Sequence, residues 1–109
     1  MVAINGQGHS QLEEGWTEFQ PGGDTLCSHG DPYSYWVRKG STNKVVIDFI
    51  GGGACWDEGT CRLAGSVYTP DVEDVRARIE GGDQRGIYDD KDPANPIGEY
   101  YHVIVPYCT

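Results

Sequence analysis

Apolar residues are concentrated in two short runs, one near the middle of the chain and one close to its end. Residues 44–50 read Lys-Val-Val-Ile-Asp-Phe-Ile, and residues 101–106 read Tyr-His-Val-Ile-Val-Pro. Short, nearly continuous runs rich in β-branched side chains are typical of strands buried on both faces, as in parallel or mixed sheets. We therefore predict two such strands, and each would need a layer of structure on both sides.

Weaker patterns near the amino end predict two further strands. Residues 16–19 alternate between apolar and polar, and residues 33–38 are rich in aromatic side chains before a turn at residues 40–43. Residues 1–15 are polar and contain glycine, which predicts a flexible amino-terminal tail. The folded part of the chain is therefore expected to span residues 16–109.

One helix is predicted, beginning near Pro70 and ending at the Gly81-Gly82 pair. Acidic side chains in its first turn favour the positive end of the helix dipole, and glycine is common just beyond a helix end. Its apolar positions share one face: Val72, Val75 and Ile79. Residues 81–98 form a long polar loop, which in a compact domain is often a functional surface feature.

The charge balance narrows the possible partners. The formal net charge is −9, from 17 acidic and 8 basic side chains. Because nucleic acids and anionic membrane surfaces are bound largely by lysine and arginine, we expect neither as a partner. No apolar run approaches the roughly 18 residues needed to cross a bilayer. The first eight residues are too polar for a signal-peptide core, so we expect any signal peptide to lie outside this chain.

The four cysteines indicate disulfides more strongly than a metal site. Structural zinc ligands usually come in pairs two to four residues apart, and here only Cys55 and Cys61 are near each other, with wider spacing. Disulfides imply an oxidising compartment. Four cysteines allow three pairings. One hypothesis joins Cys55 to Cys61 across a short loop in which Gly59 permits the turn, leaving Cys27 with Cys108; the other pairings stay open.

The first buried-type strand runs directly into three glycines, Gly51, Gly52 and Gly53. A phosphate-binding loop would continue with Gly-Lys-Ser/Thr, but Ala-Cys-Trp follows here, and no Gly-x-Gly-x-x-Gly opens a helix. Glycines at a strand end can also present backbone amides to an oxyanion in acyl transfer. From the glycines alone, a tight turn without a ligand is the better interpretation.

An ordered set of motifs changes that balance, because the chain resembles the pectin acetylesterase/Notum family from about Cys27 to Thr109. The shared features are the pattern Cys-x-x-Gly-x-Pro, a strand leading into Gly-Gly-Gly-x-Cys, a second cysteine soon after, and a strand ending in Tyr-Cys. The corresponding segments here are Cys27-Ser-His-Gly-Asp-Pro32, Val45-Val-Ile-Asp-Phe-Ile-Gly-Gly-Gly-Ala-Cys-Trp56, Cys61, Asn95-Pro96, and Val103-Ile-Val-Pro-Tyr-Cys108.

The resemblance implies a fold and an activity. That family consists of secreted carboxylic ester hydrolases with a Ser-Asp-His triad, a serine acyl-enzyme mechanism and no metal or cofactor. The implied fold is an α/β-hydrolase-like three-layer sandwich with a mixed, mostly parallel sheet, of which residues 16–109 would be the amino-terminal part. The implied substrate is an acylated carbohydrate or another ester, and the implied location is secreted or periplasmic.

The resemblance also assigns roles to particular residues. It implies that Gly52 and Gly53 supply the oxyanion-hole amides, and that Cys55–Cys61 and Cys27–Cys108 are the bridges. Plant members have a tryptophan where this chain has Ala54, so Ala54, with the nearby Trp56, is a candidate for the substrate cleft. The acyl group preferred here is therefore left open.

The family's catalytic triad is not present in these residues. The nucleophile lies in a Gly-x-Ser-x-Gly elbow that we expect downstream, so the chain alone is predicted to be inactive. We expect His9 to be solvated, His29 to form local hydrogen bonds and His102 to lie in the core or at a strand end. Ser34 and Ser66 are expected at the surface.

Three other interpretations concern the whole chain and its acidic loop. The main alternative is a non-catalytic, disulfide-stapled binding or structural module, and a weaker one is a zinc-stabilised intracellular domain. Asp89, Asp90 and Asp92 do not match the spacing of a calcium loop, so a solvated loop is the better interpretation.

Overall fold

Four short strands form one mixed sheet in the computed structural model, which describes residues 12–82 and 85–108. Across the sheet the strand order is β1-β2-β4-β3. The pairings β1–β2 and β2–β4 are antiparallel, and β3–β4 is parallel. The strands are β1 (Trp16–Phe19), β2 (Tyr35–Arg38), β3 (Val45–Phe49) and β4 (Tyr101–Val105).

The helices are short and lie in the crossover that joins the two parallel strands. They are α1 (Glu58–Cys61), α2 (Glu73–Glu80) and a 3₁₀ helix at Gly86–Tyr88. A parallel pair needs such a crossover because its strands run in the same direction. The predicted helix is confirmed as α2, with Val72 and Val75 buried and Ile79 packed against the core. The sequence did not predict α1 or the 3₁₀ helix.

The predicted three-layer α/β sandwich with a mostly parallel sheet is wrong for the described residues. Their four-stranded sheet has a single parallel pairing, and their helices amount to a few short turns. The two strands at the amino end, β1 and β2, pair antiparallel, and residues 20–34 reverse the chain between them without forming a helix. The long segment between β3 and β4 is the one that leaves room for a crossover.

One face of the sheet is covered. The buried core there joins Trp36 of β2 and Ile104 of β4 to Val72 and Val75 beside and within α2, and to the Cys27–Cys108 bridge. Trp36 and Ile104 are direct register partners, so their side chains point to the same side. The apolar face of α2 therefore packs, together with the Cys27–Cys108 bridge, against this face of the sheet.

The opposite face is bare at β3, so the prediction that this strand is buried on both faces is wrong. Val45, Ile47 and Phe49 are 55%, 54% and 75% exposed. β3 is an edge strand of the described sheet and pairs with β4. Central β4 is the better match to the prediction, with His102 and Ile104 buried and the alternate positions half-buried. A continuous apolar run does not reveal whether its strand is central or at an edge.

Both disulfides form, in the pairing hypothesised from the sequence. Cys27 joins Cys108 across 81 residues, and both cysteines are buried. Cys55 joins Cys61 in a local loop near the surface. The long bridge therefore ties the segment before β2 to the segment after β4, while the short one shapes a single turn.

Two other expectations concern the ends of the chain and membranes. The predicted tail at residues 1–15, which includes His9, falls mainly on residues 1–11, outside the described part. Within residues 12–82 and 85–108, no helix has the length and apolar character needed to span a bilayer.

Candidate functional site

The glycine loop, residues 51–53, lies at the carboxyl end of β3. The parallel ladder continues one residue beyond the strand, because the amide of Ile50 donates to the carbonyl of Val105 at 3.0 Å. Both parallel strands therefore end at the same edge of the sheet. In open α/β sheets, ligands bind outside the carboxyl ends of parallel strands. The topology thus places the three glycines at the edge of the sheet where the two parallel strands end.

Packing requires glycine at two of the three positions. A Cβ on Gly52 would lie 2.2 Å from Cδ1 of Tyr107, and one on Gly53 would lie 2.2 Å from the carbonyl oxygen of Val67. Gly53 also has a φ of 74°, in the left-handed region that favours glycine. A Cβ on Gly51 would meet nothing within 4 Å. Close packing is therefore a sufficient reason for Gly52 and Gly53, whatever else they do.

The amides of the glycine loop are available to an acceptor. Among the hydrogen bonds between described residues, none uses the N–H of Gly51, Gly52 or Gly53 as donor, whereas the carbonyl of Gly52 accepts from Thr69 N at 2.7 Å. That bond fixes the loop against the segment before α2. The loop is thus fixed by the hydrogen bond that the Gly52 carbonyl accepts, and its N–H groups donate to no described residue.

A cleft of about 500 Å³ lies beside the glycine loop, between the sheet edge and α2. Its polar lining consists of two carboxylates, Asp71 and Asp74, with Arg78 and Thr69. The remaining lining is Ile50, Gly51, Val75, Ala77 and Tyr107. A second cavity of about 240 Å³ lies where Gly52 and Gly53 face residues 65–69. The two cavities adjoin, because Thr69 lines both of them, and the glycine loop contributes Gly51 to the larger and Gly52 and Gly53 to the smaller.

The two cleft candidates from the sequence do not line the larger cleft. Trp56 is 74% exposed, and Ala54 is also exposed. Both lie in or next to the Cys55–Cys61 loop, which is fixed by Asp57 and Thr60: Thr60 N donates to Asp57 Oδ1 at 2.8 Å, and Trp56 N donates to Thr60 Oγ1 at 3.0 Å. The structure brings Gly51 and Tyr107 to the cleft instead.

His102 is a core residue, as expected from the sequence. It is fully buried, and its Nε2 lies 3.3 Å from Asp48 Oδ2. The hydroxyl of Tyr88 also donates to Asp48, and the ring of Tyr88 stacks on His102 at 5.2 Å. Burial lowers the pKa of His102, since it disfavours the charged ring, although the bond to Asp48 opposes this. His102 therefore lies in the core, between the carboxylate of Asp48 and the ring of Tyr88.

Of the remaining candidate side chains, His29 and Ser34 form hydrogen bonds with neighbouring elements of the fold, and Ser66 lies at the surface. His29 accepts or donates a bond with the hydroxyl of Tyr68 at 2.9 Å, in line with the local role expected. Ser66 is exposed as predicted, but the surface position expected for Ser34 is wrong. Ser34 is fully buried because its hydroxyl donates to Glu18 Oε2 at 2.6 Å. No serine lies within hydrogen-bond distance of a histidine in residues 12–82 and 85–108.

Sequence reasoning missed a buried arginine beside His102. Arg38 is 2% exposed, lies 5.0 Å above the Trp16 ring and donates from Nη1 to the carbonyl of Tyr88 at 2.6 Å. Burial lowers its pKa, and the nearby charges of Asp90 and Asp89 oppose that effect. Arg38 alternates with Trp36 along β2, and that spacing was the available signal that it faces the core.

Two of the three acidic loop residues, Asp89 and Asp92, accept hydrogen bonds in turns. Asp89 Oδ1 accepts from Lys91 N at 3.1 Å, and Asp92 Oδ1 accepts from Ala94 N at 2.9 Å. Asn95 donates to the carbonyls of Ile87 and Asp89, both at 2.9 Å. Within the described ranges, no group of three or more His, Cys, Asp or Glu side chains is placed to hold a metal ion. These bonds shape the loop over the sheet.

No protein-family model matches the chain, and no curated protein shows significant similarity to it. The features of this chain that bear on its function are therefore the glycine loop, its free amides, the adjoining cleft and the ordered motifs between Cys27 and Cys108.

Proposed function

We propose that this chain carries the oxyanion-binding loop of an exported carboxylic ester hydrolase similar to the pectin acetylesterases. The observation that carries the proposal is the position of the amides of Gly52 and Gly53, which have no acceptor among the described residues and lie at the carboxyl end of β3. Two disulfides fit a secreted or periplasmic location. The substrate would be an acylated carbohydrate or another ester.

The proposed chemistry needs donors that are fixed before the reaction. When a serine attacks an ester carbonyl, the oxygen gains negative charge, and rigid N–H groups stabilise it without reorganising. Removing one such donor typically lowers kcat by a factor of roughly 100–1,000. The bond from Thr69 N to Gly52 O and the packing of Gly52 on Tyr107 provide that rigidity here.

The nucleophile, the general base and its acidic partner would come from residues outside this chain. His102 and Ser34 are buried in structural hydrogen bonds, and His29 is bonded to Tyr68. We therefore expect the 109-residue chain to bind an oxyanion without hydrolysing esters. Reading the encoding DNA on both sides of this segment tests the larger claim, which requires a Gly-x-Ser-x-Gly sequence downstream followed by aspartate and histidine.

A non-catalytic binding or structural module is the second candidate. It is favoured by one observation, namely that packing against Tyr107 and Val67 already accounts for glycine at positions 52 and 53. In that case the loop would be a tight turn, and its amides would meet only solvent.

Amide chemical shifts separate the two candidates. The ¹⁵N-labelled chain is titrated with acetate at constant ionic strength, and binding is followed by ¹⁵N–¹H correlation spectra. An oxyanion loop predicts saturable downfield proton shifts at Gly52 and Gly53, because both N–H groups gain a charged acceptor. A turn without ligand-binding function predicts shifts no larger there than at exposed amides elsewhere, and that result would overturn the proposal.

Two glycine variants provide a matched control. Gly51→Ala should leave acetate binding within about twofold, because its Cβ meets nothing and its φ is not left-handed. Gly52→Ala should abolish the saturable shifts, because its Cβ would displace the Tyr107 ring. Equal effects of the two substitutions would show that the precise loop geometry is irrelevant to binding.

A further inference from the structure

The cleft beside the glycine loop has a charge pattern that bears on the kind of ester it accepts. Two carboxylates line it, Asp71 and Asp74, against one guanidinium, Arg78. Asp71 lies just before α2 and Asp74 lies in its first turn, and both line the cleft. The whole chain carries a net charge of −9, which adds to the negative potential of this surface.

Arg78, the basic side chain that lines the cleft, is engaged elsewhere. Its guanidinium carbon lies 5.2 Å from the centre of the Tyr88 ring, in a cation–π contact. Tyr88 in turn is held by its hydroxyl to Asp48 in the core. Arg78 is thus drawn towards the loop that covers the sheet. With Arg78 held against Tyr88, the two carboxylates outnumber the one cationic side chain in the lining of the cleft.

Ionised carboxylates are hydrogen-bond acceptors only, so they need a ligand that brings donors. Asp71 already accepts from Glu73 N at 3.0 Å through Oδ1, which fixes the orientation of its side chain. Tyr107, Ile50 and Val75 add an aromatic ring and an apolar floor. Hydroxyl groups supply donors and carbon–hydrogen faces supply apolar surface, and a sugar unit combines both. A carboxylate on the ligand would instead meet two like charges.

We propose that this cleft accepts an acylated neutral sugar unit and discriminates against one that carries its own carboxylate. The inference relies on the proposed function only in taking the ligand to be an ester whose carbonyl oxygen reaches Gly52 and Gly53. Asp71 and Asp74 are then specificity-determining residues, and Tyr107 packs against the sugar face. The adjoining loop and the cleft are contiguous through Gly51, which belongs to both.

The test uses two ligands that differ in one group, an O-acetylated methyl glucoside and the corresponding methyl glucuronide. Each is titrated into the ¹⁵N-labelled chain, with Thr69 and Asp74 amides reporting on the cleft and Gly52 and Gly53 amides on the oxyanion loop. At low salt we expect the neutral ligand to bind about 3- to 10-fold more tightly, because two partly solvated charges repel the glucuronide. High salt should bring the ratio of the two dissociation constants closer to one, because it screens that repulsion.

A charge-matched pair of double variants isolates the cleft. Asp71→Asn/Asp74→Asn should bring the ratio to within about twofold of unity, and the amide side chain introduced at position 71 keeps an oxygen that can accept from Glu73 N. Asp24→Asn/Asp92→Asn changes the net charge equally at residues that do not line the cleft, so its ratio should match the parent. If both double variants change the ratio equally, overall charge controls binding and the inference is wrong.

The remaining outcomes distinguish this inference from the proposed function. Tighter binding of the glucuronide, lost in Arg78→Gln, would overturn the inference by showing that Arg78 binds the carboxylate. If the cleft amides shift with the predicted selectivity but the amides of Gly52 and Gly53 do not shift, the ligand class is supported and the esterase proposal is overturned. Responsive glycine amides with equal affinities for the two sugars would support the esterase proposal and overturn the inference.

Discussion

The two faces of the sheet differ in a way that runs against simple expectation. The covered face holds charged and polar side chains, including Arg38, Asp48 and His102, of which Arg38 and His102 are almost completely buried. The bare face presents Val45, Ile47 and Phe49, each more than half exposed. Register pairing extends that apolar face across the sheet, since these three lie opposite Tyr101, Val103 and Val105.

The difference shows that the route of the chain, rather than hydrophobicity alone, decided which face was covered. Helix α2, the Cys27–Cys108 bridge and the loop carrying Tyr88 all pack on the face of Trp36 and Ile104. The polar groups there are tolerated because they bond to one another, as Asp48 does with both Tyr88 and His102. Some remain unpaired among the described residues, notably Arg38 Nε and Nη2.

The largest effect should come from opening the bridge on the covered face. Cys27→Ala/Cys108→Ala should lower the free energy of unfolding by about 4.5 kcal/mol, because the bridge restricts a long loop in the unfolded chain. Cys55→Ala/Cys61→Ala should cost about 2 kcal/mol, since that loop is short. Urea unfolding of both variants measures the difference. Equal losses would show that loop length and burial do not set the contribution of these bridges.

Truncating the same residue type on each face compares the two faces directly. Ile104 is 3% exposed and Ile47 is 54% exposed. Ile104→Ala should cost about 2–4 kcal/mol because it leaves a cavity in the core, whereas Ile47→Ala should cost less than about 1 kcal/mol. Chemical unfolding gives both values. A large loss for Ile47→Ala would mean that its face is covered in solution.

The buried His102 should make stability depend on pH. Its pKa is lowered in the folded chain, mainly by burial, so below its usual value of about 6.5 the unfolded chain binds a proton that the folded chain does not. The free energy of unfolding should therefore fall as pH drops below that value, down to the folded-state pKa. Urea unfolding at several pH values between about 7.5 and 5.5 measures the slope.

His102→Gln is the control for that slope. The variant is expected to be less stable at every pH, because it loses the ring contacts with Tyr88 and Trp16. Its stability should nevertheless change less over the same pH range than that of the parent chain. An unchanged slope would assign the pH dependence to other groups.

The smallest effect on stability, and a clear effect on association, should come from charging the bare face. Ile47→Lys should change the free energy of unfolding by less than about 1 kcal/mol, because lysine at an exposed edge-strand position can reach water. Analytical ultracentrifugation should show less self-association than in the parent at equal concentration, since exposed apolar patches on an edge promote pairing. Greater association of the variant would contradict this account of the face.

Local elements were predictable because their causes are local. All four strands were expected, and the end of the helix followed from Gly81, whereas its start at Glu73 lies three residues beyond the predicted start near Pro70. The pairing of Cys55 with Cys61 was accessible because the two are only six residues apart. The short helix α1 was missed because its capping box uses Asp57 and Thr60 within a segment that shows no apolar periodicity.

The candidate site was predictable only in part. The glycines after β3 were visible in the sequence, but the residues that complete the cleft, Asp71, Asp74 and Tyr107, come from segments far apart in the chain. Trp56 was a reasonable candidate by proximity in sequence, yet the short disulfide loop leaves it exposed and away from the cleft. Ser34 was misplaced because its partner, Glu18, lies on the neighbouring strand.

The positions of the strands, the main helix and the glycine turn follow from local sequence, because propensity, side-chain periodicity and left-handed glycine conformations depend on neighbouring residues. Tertiary packing, by contrast, sets the edge position of β3, the single parallel pairing of the described sheet and the shared face on which Arg38 and His102 are buried. These features depend on contacts between residues distant in the chain. The alternation of residues along a strand shows which side chains share a face, whereas the packing of other segments decides which face is covered.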